Sequence, residues 1–200
     1  AYTSYNGMIL LELLAMVQTD DTVFYHAYII VRADSDINSV SQLRNKTFAF
    51  TDPLSYSGRL AIDYMLWDDF GTTSAQFFHK CFYTYNHDKS IWAVTNKLAD
   101  GAGIDSQIYY FAKKTDPDID KKIRIIHIMP PTPTGPVVMR QDLPQEDKEK
   151  LKTIFLHMDE NPNLTEALHQ AIIDKFVEPI PDAYDELKRK YQQKERLPGV

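Results

Sequence analysis

The sequence lacks the features that mark several common functional classes. Its 200 residues include one cysteine, Cys81, which excludes an internal disulfide and a thiolate metal cluster, and we interpret it as a buried structural thiol. Lysine and arginine residues form no cluster, and the formal net charge is −6. Such a chain lacks the basic surface that holds a nucleic-acid backbone or an anionic membrane, so neither partner is expected.

Long apolar runs, metal-ligand patterns and nucleotide loops are also missing. The most apolar stretch, "GMILLELLAMV" (7–17), is too short to span a bilayer and contains Glu12, so it predicts a buried or amphipathic helix. The six histidines show no spacing typical of zinc sites, and there is no glycine-rich nucleotide loop. The sequence therefore predicts no metal and no cofactor.

What the sequence does contain is typical of a globular α/β protein. The hydrophobic fraction is 44% and the charged fraction is 25%. β-Branched and aromatic runs predict strands, and apolar residues at three-to-four spacing predict the helices between them. Strands that alternate with helices predict a doubly wound, mostly parallel sheet. The predicted strands are 23–35, 47–50, 77–85, 100–104, 123–129 and 136–139.

A proline-rich segment divides the chain. "MPPTPTGPVVMR" (129–140) contains four prolines and predicts an extended connection that crosses between two lobes. Beyond it, the apolar spacing predicts a series of helices. We therefore predict a first lobe formed by 1–33 and 129–200 and a second lobe formed by 34–128.

The loop Ser55-Tyr56-Ser57-Gly58 connects a predicted strand to a predicted helix. In one interpretation Ser57 caps the helix and nothing is bound. In the other the loop binds an anion, since both serines offer hydroxyl donors, Gly58 lets the backbone approach closely, and the first N–H groups of a helix carry partial positive charge. Ligands of open α/β sheets lie beyond the carboxyl ends of the strands, where this loop is placed.

A second loop, Asn86 to Ser90, has the same position relative to its strand and helix. His87 could donate a hydrogen bond to a ligand oxygen, more strongly if protonated, while Asn86 or Asp88 caps the helix; a purely structural histidine is the alternative. Adjacent parallel strands would place the two helix N-termini side by side. Because an acidic chain repels anions at long range, such a site has to be preorganised.

A catalytic role is the less favoured hypothesis. Ser57, His87 and Asp105 could be written as a Ser-His-Asp set. The sequence around Ser57 is not a nucleophile elbow of the G-x-S-x-G type, and nothing in the sequence fixes an oxyanion hole. We therefore predict that the protein is not an enzyme, and a Ser/His hydrolase stays as an alternative.

Three blocks of the sequence resemble one known family. They are "FYHAYIIVRADSDINSVSQLRNKTFAFTDPLSYSGRLAIDYML", "YNHDKSIWAVTNKLADGAGIDS" and "MPPTPTGPVVMRQDLP". In order and spacing they resemble the phosphonate/phosphite/phosphate-binding proteins of bacterial ABC importers, over about residues 2–191. The resemblance implies a two-lobed, extracytoplasmic binding protein that closes on a tetrahedral phosphorus oxyanion in a cleft between its lobes and serves a membrane permease.

The resemblance also implies which residues contact the ligand. Ser55, Tyr56 and Ser57 match the anion-gripping loop of the family, which ends here at Gly58. His87 matches the ligand-contacting histidine. We therefore expect the two loops to form one site for a small phosphonate, phosphite or phosphate-like oxyanion.

Other positions of the resemblance extend or limit this expectation. Tyr25 matches an aromatic residue that lines the cleft, although a core tyrosine beside the hinge is an equal alternative, and Tyr2–Ser4 would lie on a cleft loop. Relatives that bind aminoalkylphosphonates place acidic residues near the positions of Gln107 and Gly135. Neither residue is acidic here, and Asp105 is the nearest substitute, so a ligand that carries an amine is not expected.

Two further departures concern the loop and the start of the chain. Asn86 stands where glycine or another small residue is usual, which would tighten that loop. The opening strand and helix of the family's first lobe have no counterpart in this sequence, which predicts an exposed sheet edge and a homodimer formed through it. A ligand-sensing domain of a membrane-bound signalling protein, with the same fold, is the main functional alternative.

Overall fold

The computed structural model describes residues 10–194. The strands are β1 (Leu11–Gln18), β2 (Phe24–Tyr25), β3 (Ala27–Arg32), β4 (Thr47–Phe50), β5 (Lys80–Tyr83), β6 (Gly101–Asp105), β7 (Ile123–Ile128), β8 (Thr132–Pro133), β9 (Pro136–Arg140) and β10 (Lys175–Val177). The α-helices are α1 (Ala61–Phe70), α2 (Ser74–Phe77), α3 (His87–Thr95), α4 (Ser106–Thr115), α5 (Ile119–Lys122), α6 (Gln145–Leu156), α7 (Thr165–Gln170) and α8 (Asp185–Lys194). A π-helical turn (Tyr56–Leu60) leads directly into α1.

The described residues form two compact units. Unit 1 consists of 10–25 and 132–194, and unit 2 consists of 26–131. The lobes predicted from the sequence, with boundaries at 33 and 129, differ from these units mainly at β3. That strand pairs with β6 and β7, and these hydrogen bonds place it inside unit 2. No helix among residues 10–194 has the length and apolar character needed to cross a bilayer.

Unit 2 is built on a five-stranded sheet in the order β5-β4-β6-β3-β7. Strand β4 runs parallel to β5 and β6, and β3 runs antiparallel to β6 and β7. The α/β class and the doubly wound arrangement are confirmed. Four of the five strands run in the same direction and β3 runs opposite to them, so the sheet is mostly parallel in strand direction but mixed in its pairing.

Helices cover both faces of this sheet because its strands alternate apolar side chains between the faces. On β3, Ala27, Ile29 and Val31 pack with α1 and α2 on one face. Tyr28 and Ile30 pack with α3, α4 and α5 on the other. All five side chains are buried, so this strand is a central one, as its continuous apolar run indicates.

Unit 1 contains a three-stranded antiparallel sheet in the order β10-β1-β9. The prediction of a helix over 7–17 is wrong within the described residues, where β1 begins at Leu11. A short apolar run fits a buried helix or a buried strand equally well, and pairing with β9 and β10 on both sides decides for the strand. Its Glu12 forms an ion pair with Lys148 of α6 (2.8 Å), which accounts for a charge within the apolar run.

Smaller differences concern the ends of predicted elements. The predicted strand 77–85 is shortened, because the α2 turn and its Thr73/Gln76 capping box occupy its beginning. The predicted strand 23–35 is divided at His26 into β2 and β3. Strand β10 was not predicted at all, since its three residues carry too short a pattern to be recognised.

Candidate anion-binding site

The site lies at the carboxyl edge of the sheet in unit 2. Strands β4, β5 and β6 are parallel neighbours, so the segments that follow them emerge at the same edge. The π-helical turn and α1 follow β4, α3 follows β5, and α4 follows β6. The prediction that the helix N-termini after β4 and β5 lie side by side is therefore confirmed.

The first N-terminus, after β4, is capped by Ser55. Its Oγ accepts a hydrogen bond from the Gly58 N–H (3.0 Å), and its carbonyl accepts one from the Leu60 N–H (3.0 Å). The second bond spans five residues and winds the first turn, Tyr56–Leu60, as a π-helix. Such turns are rare and occur often at functional sites. Capping by Ser55, rather than by Ser57, leaves Ser57 available for another role.

Gly58 is required by close packing rather than by backbone conformation. Its carbonyl accepts a hydrogen bond from the Thr51 N–H (3.1 Å), which brings the two residues together. A Cβ at position 58 would collide with the Cβ and Oγ1 of Thr51 and lie 2.9 Å from the Ser55 Oγ. The glycine is therefore required for packing against Thr51, and the approach of its backbone to an anion stays a prediction.

Ser57 and Tyr56 occupy the first turn behind this cap. Ser57 as a whole is only 2% exposed, and its hydroxyl is not needed for the cap that Ser55 provides. A hydroxyl can donate its hydrogen to a ligand oxygen. Tyr56 is half-buried and packs against the α1 side of the core. The first turn therefore presents a polar group that an added acceptor could satisfy.

The second N-terminus, after β5, is capped by Asn86. Its Oδ1 accepts a hydrogen bond from the Asp88 N–H (2.7 Å), so Asn86 is the cap and Asp88 is not. Tyr85, just before it, has a φ of 60° and a largely exposed side chain. Left-handed backbone in a bulky residue is strained. The loop is held in this conformation by the short bond from the Tyr85 N–H to the Thr51 carbonyl (2.6 Å).

Thr51 connects the two N-termini. Its Oγ1 lies 3.2 Å from the Nδ1 of His87, 3.5 Å from the Oγ of Ser90 and 3.3 Å from the carbonyl oxygen of Gly103. Its backbone N–H donates to the carbonyl of Gly58 in the first N-terminus. One buried residue thus links the first turn of α3, through its side chain, to the loop that precedes α1, through its backbone.

His87 is a neutral donor in this arrangement. Its Nδ1 accepts a hydrogen bond from the Asp105 N–H (3.1 Å), which leaves Nε2 as the protonated nitrogen. Burial lowers the pKa of His87 to about 4, against a smaller opposing effect of Asp88. Because desolvation disfavours the charged ring, the stronger hydrogen bond of a protonated His87 is not expected at neutral pH.

Asp105 serves as the cap of α4. Its Oδ1 accepts a hydrogen bond from the Gln107 N–H (2.7 Å), and burial raises the pKa of its carboxyl to about 6. The contact of Asp105 with His87 is made by its backbone N–H and not by its carboxylate, so the relay of a Ser-His-Asp triad is not formed. The described residues also contain no group of three or more metal-ligating side chains.

Basic side chains contribute little to the site. Arg59, at the end of the π-helical turn, forms an ion pair with the buried Asp63 (2.7 Å) and stacks over the Phe50 ring at 4.1 Å. Its charge is thereby directed to the core and neutralised. The donors that remain at the carboxyl edge are backbone N–H groups, hydroxyls and the neutral imidazole, which agrees with the expectation of a preorganised site.

The other positions discussed from the sequence lie in different parts of the chain. Tyr25, the remaining predicted ligand residue, belongs to unit 1, where it pairs with Thr132 of β8. Gln107, in the first turn of α4, has a buried Nε2 without a partner among residues 10–194. Gly135 lies in unit 1, and Tyr2–Ser4 lie outside the described residues. Of the predicted ligand residues, unit 2 therefore contains Ser55–Gly58, His87 and Asp105.

Sequence reasoning missed three residues that build this edge: Thr51, Ser90 and Gly103. Thr51 is the first polar residue after "TFAF" and so stands at the carboxyl end of a predicted strand. Ser90 lies three residues after His87, which places both on one side of α3. Gly103 offers only its carbonyl, and no sequence signal marks it. The first two could have been found by the rule that places ligands beyond strand ends.

Comparison with known proteins shows which family the chain resembles. A family model described as "ABC transporter, phosphonate, periplasmic substrate-binding protein" matches residues 6–184. The chain is 28% identical over 161 residues to the "Phosphonates-binding periplasmic protein" of Escherichia coli (strain K12), which covers 78% of this chain and 46% of that protein. The chain thus spans about half the length of this curated relative.

Solved structures share the fold at lower identity. A binding protein component of an ABC phosphonate transporter from Pseudomonas aeruginosa is 24% identical with a TM-score of 0.79, over 93% of this chain and 63% of that one. PhnD1 from Prochlorococcus marinus (MIT 9301), in complex with methylphosphonate, is 21% identical with a TM-score of 0.75, over 92% and 72%. Both similarities concern the fold.

Proposed function

Because the chain belongs to the phosphonate family of periplasmic ABC-transporter substrate-binding proteins, we propose that it binds a small tetrahedral phosphorus oxyanion at the carboxyl edge of unit 2. The family is periplasmic, in agreement with the extracytoplasmic location predicted from the sequence. The members it resembles are binding proteins, and the proposed role is binding without chemistry. The proposed partner is the membrane permease of an importer.

The observation that carries this proposal is the link between the two helix N-termini. Thr51 donates its N–H to Gly58 (3.1 Å), and its Oγ1 contacts His87 (3.2 Å). The unpaired N–H groups of a helix start attract anions, and two such starts facing one point attract them more strongly than one. This arrangement supports a ligand with several oxygen acceptors directed to different donors.

The chemistry of the donors supports an anion bound without a charged partner. Ser57, a buried residue of the first turn, offers its hydroxyl, and His87 offers Nε2–H. Each hydrogen bond to a charged oxygen contributes about 1.5–3 kcal/mol. Gln107 and Gly135 stand where relatives that bind aminoalkylphosphonates have acidic residues, and neither is acidic, so we propose a ligand without an amine.

Calorimetric titration of the 200-residue chain tests the proposal. Methylphosphonate, phosphite and phosphate are the probes, and we expect at least one of them to bind. Ser57→Ala should weaken that binding by about tenfold, or about 1.4 kcal/mol. Ser41→Ala, in the exposed 3-10 turn of unit 2, is the matched control and leaves binding unchanged. Equal affinities for wild type and Ser57→Ala would contradict the assignment of this loop.

The alternative of a sensor domain differs in partner and not in ligand. The reading frame that encodes the chain decides between them, since a permease gene beside it supports the importer, and a membrane segment fused to a signalling domain supports the sensor. The hydrolase alternative has no support in the contacts of His87, whose Nδ1 accepts from a backbone N–H.

A further inference from the structure

We propose that Thr51 is a positioning residue that, with the backbone N–H of Asp105, holds His87 in its Nε2–H tautomer, so that the ring offers a single N–H donor to the oxyanion. This inference rests on the proposed function for its last step only. The orientation of the ring is a property of the free protein and can be measured without ligand.

The tautomer follows from the contacts of Nδ1. A neutral imidazole carries its hydrogen on one nitrogen and a lone pair on the other. The Asp105 N–H donates to Nδ1 of His87 at 3.1 Å, and a hydrogen on Nδ1 would bring two donors against each other. Because the backbone of Asp105 is fixed as the last residue of β6, this donor cannot turn away. The hydrogen therefore resides on Nε2.

Thr51 holds the other side of the same nitrogen. Its Oγ1 is 3.2 Å from Nδ1 and 3.3 Å from the carbonyl oxygen of Gly103, two acceptors that share its single hydrogen, and the Oγ of Ser90 lies at 3.5 Å. Its side chain is 5% exposed and packs against Gly58, where no Cβ would fit. These contacts fix the position of the hydroxyl oxygen of Thr51, which in turn contacts the ring of His87.

Charged groups around His87 do not oppose the neutral ring. Asp88, the next residue of α3, raises the pKa of His87, but burial lowers it more, to about 4. The Asp105 carboxyl accepts from the Gln107 N–H, Asn86 and Ser90 are uncharged, and β4 contributes only Thr51 to this contact. Because the neutral ring presents only an N–H donor to the site, it favours an acceptor oxygen of an anion over a cation.

The first test is the tautomer in the free chain. Long-range proton–nitrogen NMR correlations of the ¹⁵N-labelled 200-residue protein at pH 7 distinguish a protonated Nε2 from a protonated Nδ1. We expect His87 as the Nε2–H form before any ligand is added. The Nδ1–H form, or a doubly protonated ring, would overturn the inference, even if the protein binds methylphosphonate. Conversely, the expected tautomer in a chain that binds none of the probes would leave the inference intact and overturn the proposed function.

The second test separates Thr51 from a general structural role. Thr51→Val keeps the shape and removes the hydroxyl, and Thr51→Ser keeps the hydroxyl. We expect Thr51→Val to shift the Nδ1 resonance and weaken methylphosphonate binding by about tenfold, with Thr51→Ser restoring both. Unchanged Nδ1 resonance and affinity in Thr51→Val, or equal losses in both variants at unchanged unfolding midpoints, would overturn the positioning role.

A pair of substitutions at His87 tests which nitrogen faces the ligand. The amide nitrogen of glutamine reaches the place of Nε2, and that of asparagine reaches the place of Nδ1. We therefore expect His87→Gln to retain at least tenfold more affinity for methylphosphonate than His87→Asn. The reverse order, with both variants folded, would overturn the inference.

Discussion

The two helix N-termini at the edge of unit 2 lie side by side but differ in packing and in backbone strain. The one before α1 is closely packed, with a glycine that no other residue could replace without a collision and a buried Ser57. The one before α3 is open and strained, with an exposed Tyr85 in left-handed backbone and an asparagine cap. Each contributes a donor that the other lacks: a hydroxyl in the first and an imidazole in the second.

This difference indicates how an acidic chain can bind an anion. In the first N-terminus the donors are held in place by close packing, so their geometry depends on that packing. The second gains its donor by hydrogen bonds to neighbouring strands, so its geometry depends on Thr51 and Asp105. Substitutions in the first should therefore alter stability and binding together, and those in the second should allow the two effects to be separated.

Gly58→Ala is expected to have the largest effect on the packed N-terminus. The added methyl group collides with Thr51, and overpacking of this kind costs about 3 kcal/mol. Urea unfolding and methylphosphonate titration should both show a loss. Gly71→Ala is the control: this glycine ends α1 with a φ of 60° and open space around it, so the variant should lose about 1 kcal/mol and keep full affinity. Normal binding by Gly58→Ala would contradict the packed description.

The second effect is a pH dependence that originates in the open N-terminus. The pKa of His87 in the folded protein, about 4, is below the value of about 6.5 in the unfolded chain. The contribution of the neutral His87 ring to the free energy of unfolding is fully present above pH 6.5. It is lost as the pH falls toward 4, since the unfolded chain takes up the proton first. Between pH 7.5 and pH 5 this amounts to about 2 kcal/mol.

Comparison of urea unfolding of wild type and His87→Gln across this pH range measures the contribution. The variant should lose less stability on acidification. Asp105 acts in the opposite direction, because its pKa is raised to about 6 by burial and its ionisation costs stability as the pH rises from about 4 to 6. Asp105→Asn, which keeps a capping oxygen, isolates that part. Identical pH profiles for wild type and His87→Gln would refute the neutral ring.

How much of this site the sequence could predict depends on the range of the interactions. Ser55 to Gly58 and His87 were placed correctly at neighbouring helix starts, because strand-loop-helix order is a local pattern and parallel strands fix the edge. The roles of Thr51 and Asp105 depend on contacts across 36 and 18 residues, which no local pattern reveals. The protonation state of His87 could not be predicted from the sequence, because it depends on burial, which is a tertiary property.

The same distinction explains the errors in the fold. The alternating pattern of unit 2 predicted its strands and the helices on both faces. The segment now known as β1 has no alternation, and only its neighbours β9 and β10 decide that it is a strand. The direction of β3 could not be predicted either, since direction depends on where the chain enters the sheet and not on composition.

A third prediction compares the residues that cap the two N-termini, Ser55 and Asn86. Ser55→Ala and Asn86→Ala each remove an acceptor from a helix N–H, which costs about 1 kcal/mol of stability. We expect only Ser55→Ala to weaken methylphosphonate binding as well, by about tenfold, because the hydroxyl of Ser55 also faces the anion in the proposed site. Equal losses of affinity in both variants would mean that the caps act on binding only through helix stability.

The smallest expected effect concerns the strained residue of the open N-terminus. In Tyr85→Asn, relief of left-handed strain and loss of the ring contact with Tyr83 (6.1 Å between centroids) oppose each other. Asparagine tolerates this backbone conformation, and we expect a change of about 0.5 kcal/mol or less in the free energy of unfolding. Thermal unfolding measures it, and a large loss of affinity would assign the Tyr85 ring to the ligand site.

Amide chemical-shift mapping tests the central claim most directly. In a ¹⁵N-labelled 200-residue chain titrated with methylphosphonate at pH 7, the account predicts that the largest shifts fall together on both N-termini, at the amides of Ser57 and Gly58 and of His87 and Asp88, with one common dissociation constant. Shifts confined to one N-terminus, or largest in unit 1, would contradict the account that two helix starts joined by Thr51 form a single anion site.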